Sequence, residues 1–159
     1  MKRLIITLCL ALGIFVVGCT DDFQRGVEAY NKGDYATALK EWTPLADLGN
    51  VKAQYNLGLM YDMGKGVLQD YKKAVRWYQL AAEQGHSKAQ GNLGVMYAFG
   101  NGIIKDYVYA HMWGNIASMN GNDKGETLRG YVAEKMTSSQ IEEAQRLARE
   151  CIKKNYKGC

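Results

Sequence analysis

VKAQYNLGLMYDMGKGVLQDYKKAVRWYQLAAEQGH, residues 51–86, is followed without a gap by SKAQGNLGVMYAFGNGIIKDYVYAHMWGNIASMNGN, residues 87–122. Sixteen of the 36 aligned positions are identical, among them Ala53/Ala89, Asn56/Asn92, Leu57/Leu93, Gly58/Gly94, Asp70/Asp106, Trp77/Trp113 and Gly85/Gly121. A period of this size marks stacked supersecondary units. Each unit reads as two helices. In the first, Ala53, Leu57, Met60 and Tyr61 recur at helical spacing. Gly58 in its middle costs about 1 kcal/mol relative to alanine, so a partner must pack closely on its bare backbone. Gly64-Lys65-Gly66 ends that helix. Asp70 is placed to cap a second helix over Tyr71–Ala82, with Ala74, Val75, Trp77, Tyr78 and Ala81 as its buried stripe. Gly85 closes the unit.

Outward from this pair, residues 23–50 form a degenerate unit. Asp34, Tyr35, Ala38, Ala46 and Gly49 match Asp70, Tyr71, Ala74, Ala82 and Gly85, but the loop is shorter. Downstream, Glu126–Met136 reads as a helix. Thr137-Ser138-Ser139-Gln140 fits a capping box, and Ile141, Ala144, Leu147, Ala148 and Cys151 line one face of a last helix. Residues 123–159 are therefore expected to cap the array, whose end would otherwise expose apolar surface. The fold class is an all-α, helix-pair solenoid.

Composition agrees. In 159 residues, 47% are hydrophobic and 23% charged, which excludes a disordered chain. The 18 glycines and single proline exclude collagen and proline-rich linkers. The formal net charge is +4, or +2 without Lys2 and Arg3, too weak for a nucleic-acid protein.

Residues 1–18 read as an export signal: a basic start at Lys2 and Arg3, then an uncharged apolar run from Leu4 to Val17, too short to span a bilayer comfortably. Val16-Val17-Gly18-Cys19 resembles the lipobox of bacterial lipoproteins. That resemblance implies a lipid on Cys19, a short tether over 19–22, and, with Thr20 after the cysteine, the outer membrane. Of the four cysteines, Cys9 leaves with the signal and Cys19 takes the lipid. Cys151 and Cys159 remain, and an exported chain favours their disulfide. A metal site there lacks further ligands.

The motif A-Q-x-N-L-G-x-M-Y-x-x-G-x-G-(x)3-D-Y, then A-(x)2-W and A-(x)3-G, resembles the Sel-1-like repeat family, relatives of tetratricopeptide repeats with longer loops. The resemblance implies a protein–protein interaction scaffold at the cell envelope, with the first helix of each repeat lining a concave groove. By frame position that groove carries Lys52, Tyr55, Leu59, Asp62 and Met63, then Lys88, Gly91, Val95, Ala98 and Phe99. Its partner would be a peptide or protein. Neither nucleic acid, a small-molecule substrate, a cofactor nor a metal is expected. Gly91 for Tyr55 and Gly114 for Tyr78 are the departures of the second repeat.

No catalytic constellation emerges. His86 falls at a loop position, aligned with Asn50 and Asn122. His111 aligns with Val75 on a packing stripe. Asp34, Asp70 and Asp106 recur as caps, not as a metal set. Gly64-x-Gly66 fails the dinucleotide fingerprint. The alternatives kept open are a peptidoglycan- or host-interacting envelope protein, self-association through an open solenoid end, and a β-lactam-binding or hydrolysing relative. The last is disfavoured because those relatives carry a disulfide in each repeat.

Overall fold

A computed structural model describes residues 17–159, with side chains from Asp21 onward. The export signal therefore lies almost wholly outside the described residues. Eight helices and no strand are present among them: α1 (Val17–Asn31), α2 (Tyr35–Asp47), α3 (Val51–Met63), α4 (Tyr71–Ala82), α5 (Ser87–Phe99), α6 (Tyr107–Met119), α7 (Asp123–Ala133) and α8 (Ser138–Lys153). The first helix begins at Val17, upstream of the Phe23 expected from sequence, so the backbone of residues 19–22 is helical.

Local signals set the helix boundaries. The Asp34 and Asp70 carboxylates accept from the Thr37 and Lys73 amides, and Asp106 accepts from Val108 and Tyr109. Each satisfies an amide that the first helical turn leaves unpaired. Gly64 and Gly100 close α3 and α5 in the left-handed region, at φ 66° and 74°. Thr137 and Gln140 form the reciprocal capping box that opens α8.

Helices α1–α2, α3–α4 and α5–α6 pack as pairs, and each second helix packs on the first helix of the next pair. Two layers result. The first helices make one, the second helices the other. A glycine fits each pair together. A Cβ on Gly58 would lie 2.5 Å from the Tyr78 ring, and one on Gly26 would enter the Trp42 ring. Trp42 and Tyr78, 2% and 0% exposed, occupy the same frame position. In the third pair that position is Gly114, and there α7 comes in instead. A Cβ on Gly125 would lie 2.5 Å from the Gly114 carbonyl oxygen, and the Leu128 side chain takes the space over Gly94. Gly114 is thus the contact that admits α7, not a weakness of the repeat.

Buried amides link the units. Gln54 Nε2 donates to the Ala46 carbonyl (3.1 Å) and Gln90 Nε2 to the Ala82 carbonyl (3.1 Å). Gln84 donates to Gln54 Oε1 and Asn120 to Gln90 Oε1, both at 2.8 Å. All four positions repeat at the 36-residue offset. Buried amides left unpaired would be costly, so this ladder fixes the stacking register.

The cap is divided between two helices. Helix α7 takes the place of a fourth first helix, with Gly125, Leu128 and Val132 inward and Lys124, Glu126, Thr127 and Tyr131 exposed. Helix α8 packs on α6 rather than on α7. Its Ala148 and Cys151 join the core formed by α4, α5 and α6. The Cys151–Cys159 disulfide is formed. It holds a tail in which Asn155 and Tyr156 adopt φ of 50° and 65°. The Tyr156 ring sits over Gly85, and its hydroxyl accepts from the Asn120 amide (3.2 Å), ending the ladder.

Candidate functional site

Among the described residues, two clefts open on the layer of first helices. One, of about 220 Å³, lies between α1 and α3, with Val27, Tyr30, Leu59 and Asn56 around it and Trp42 behind. The other, of about 390 Å³, lies between α3, α5 and the start of α7, lined by Tyr55, Lys88, Asn92, Asn122 and Lys124, with Ser87, Gly121 and Asp123 completing the rim.

Position 55 shows how the second cleft opens. The Tyr55 ring stacks on His86, centroids 4.5 Å apart. His86 is itself the N-cap of α5, its Nδ1 accepting from the Ala89 amide (3.2 Å). One unit later the equivalent residues are Gly91 and Asn122, and a Cβ on Gly91 would lie 3.1 Å from the Asn122 amide nitrogen. That nitrogen donates to the Ser87 carbonyl (2.9 Å) and ties the start of α7 to α5. The missing tyrosine leaves room for this tie.

The groove residues expected from sequence separate into four groups. Tyr55, Leu59 and Lys88 line the clefts, and Lys52 is exposed near His86, whose proton affinity it lowers. Asp62 sits behind the cleft, half-buried, where it accepts from the Tyr78 hydroxyl (3.0 Å). Met63 is exposed, and Phe99, also exposed, stacks on Tyr131. The fourth group is packing. Val95 and Ala98 belong to the cluster around Leu128 and Val132, and Gly91 is buried under Asn122. Sequence reading recorded Asn56 and Asn92 only among the identical positions of the two repeats. Their recurrence as amides in mid-helix was the available sign that they face a cleft.

Electrostatics distinguish the groups. Burial raises the Asp62 carboxyl, opposed by the Tyr78 hydroxyl that donates to it. Burial and the Asp62 charge push Tyr78 upward. Burial, then Lys88 and Lys52, lower the His86 imidazole. His111 is buried on α6 and likewise lowered, by burial and then Arg129. Tyr55 is raised by burial and by Tyr30, which lines the neighbouring cleft. No group of three or more His, Cys, Asp or Glu that could hold a metal occurs among the described residues. None of their helices is long and apolar enough to cross a membrane.

Residues 51–86 and 87–122 each match the Sel1 repeat. The chain belongs to the Sel1-like repeat family. Sel1 repeats are in general protein–protein interaction modules. Among solved structures, this Sel1-repeat chain is similar to a protective antigen of uropathogenic Escherichia coli with an SLR fold, at 31% identity and a TM-score of 0.81. That match covers 88% of this chain and 32% of the antigen. A Sel1 repeat protein from Oxalobacter formigenes matches at 33% identity and a TM-score of 0.67, over 80% of this chain and 55% of that one. The chain thus spans about a third and about half of their lengths. No curated protein matches it.

Proposed function

We propose that this Sel1-repeat protein is a non-enzymatic adaptor of the bacterial cell envelope that holds a peptide or a segment of a partner protein in the groove of its first helices. The observation that carries this reading is the contrast along the groove. The packing positions of the repeats recur, whereas the two cleft linings differ, with Val27, Tyr30 and Leu59 around one and Tyr55, Lys88 and Lys124 around the other, and only the Asn56/Asn92 pair in common. A groove held rigid by the amide ladder also reduces the ordering cost of association. The Cys151–Cys159 disulfide fits an oxidising compartment outside the cytosol. Lipidation of Cys19 would place the adaptor on the envelope membrane, the outer membrane by the residue that follows it.

The test is photocrosslinking in the native envelope from position 55, with exposed Lys73 on α4 as control. A discrete adduct from 55 that is absent from 73 is expected. Equal or absent adducts overturn the groove. Metabolic labelling with an alkynyl fatty acid, lost in Cys19→Ala, tests the anchor separately.

A further inference from the structure

The two clefts differ in chemistry while sharing one element. Asn56 and Asn92 occupy the same frame position, and each lines one cleft. An asparagine amide offers both a donor and an acceptor, the complement of a peptide backbone unit. Around Asn56 the lining is mostly apolar, Val27, Tyr30, Trp42 and Leu59, with Asn31 the other amide on the rim. Around Asn92 it is cationic and polar, with Lys88 and Lys124 on opposite sides. Neither lysine forms a salt bridge among the described residues, whereas Arg25, Lys73, Arg129 and Arg146 all do. Asp123 is the single carboxylate on this rim. The starts of α5 and α7 add the positive ends of two helix dipoles.

We propose that the groove takes an extended segment that seats an apolar side chain in the α1–α3 cleft and a carboxylate in the α3–α5–α7 cleft, with Asn56 and Asn92 hydrogen-bonding its backbone. The proposal rests on the groove reading above and names the chemistry of its occupant. The clefts lie on successive first helices, one repeat apart, and an extended residue advances about 3.3 Å, so the two side chains are several residues apart along the segment. The small apolar cleft suits one branched aliphatic side chain. The charge complement favours Asp or Glu over Lys at the second.

The test uses the 15N-labelled full-length protein and a series of blocked Gly/Ser decapeptides with one Leu and one Glu three to six residues on. Amide shifts are expected around Leu59 and around Lys88 and Lys124. Replacing Leu by Gly or Glu by Gln weakens binding about tenfold, the scale of losing one anchor or one charge-assisted contact. A Lys88→Glu/Lys124→Glu variant, in which both changes are on exposed side chains, reverses the preference toward a Lys-bearing peptide. Binding that ignores Leu and Glu, shifts confined to α8, or no binding overturns the proposal. If the position-55 probe captures a partner while these peptides fail, the groove stands and its two-part chemistry falls.

Discussion

Tyr55 lies stacked on His86, and the same imidazole accepts a hydrogen bond from the Ala89 amide through Nδ1. The N-cap of α5 therefore needs a neutral histidine with its proton on Nε2. Protonation removes the acceptor and places a third cation beside Lys52 and Lys88.

Stability is expected to fall with acid for this reason. Burial, with the nearby lysines for His86 and Arg129 for His111, lowers both imidazoles below their ordinary 6.5. The unfolded chain then binds protons that the folded one refuses. The stability present above pH about 6.5 is lost as the pH falls below it, until the folded histidines also protonate. Urea midpoints taken from pH 7.5 to 5 check this. His86→Asn keeps a capping side chain, as Asn50 and Asn122 do, and is expected to flatten part of the slope. An unchanged slope in His86→Asn counts against the cap as its source.

Two glycine substitutions should move stability in opposite directions. Gly58→Ala drives a methyl into the Tyr78 ring and is expected to cost about 1–3 kcal/mol. Gly130→Ala lies on the exposed face of α7, where a Cβ meets nothing within 4 Å, and should gain about 0.5–1 kcal/mol. Chemical denaturation of the two variants beside the parent decides it.

The helix pairs, the aspartate caps, Gly64, the capping box and the disulfide were all legible in the sequence, because each is a signal within a few residues or within one repeat. Other features were not. Helix α8 turns back onto α6 because Ala148 and Cys151 find core space beside residues tens of positions upstream. Gly91 and Gly114 read as defects until Asn122 and Gly125 are placed against them. Val95 and Ala98 counted as groove residues because α7 was not yet packed on them. Asn56 and Asn92 were hidden by their identity, since sameness between repeats reads as scaffold.

Gln90→Ala is expected to destabilise by about 1–3 kcal/mol, since it empties a buried position, removes one of the two bonds the Ala82 carbonyl accepts (the Gly85 amide keeps the other) and takes the Gln90 acceptor from the half-buried Asn120 amide. Gln54→Ala should cost less. Its partner Gln84 is exposed and can turn to water. Equal losses in thermal or urea unfolding would show that the two rungs are equivalent.

Opening the disulfide, by reductant or by Cys159→Ser, is expected to cost about 2–3 kcal/mol in a loop this short. Hydrogen exchange should speed up at the turns around Gly85 and Asn120, which Tyr156 covers, while α3 stays protected. Uniform loss of protection would show instead that the tail supports the whole array.

The Tyr156 hydroxyl also gives the molecule a direction of growth. A unit spliced in at the boundary between residues 86 and 87 would find a matching amide rung, capping residue and helix pair on either side. One appended after the final helix would find none, because the rung there is already occupied by a tyrosine fastened through a cysteine bridge. Lengthening by duplication is open inside the array and closed at its carboxyl end.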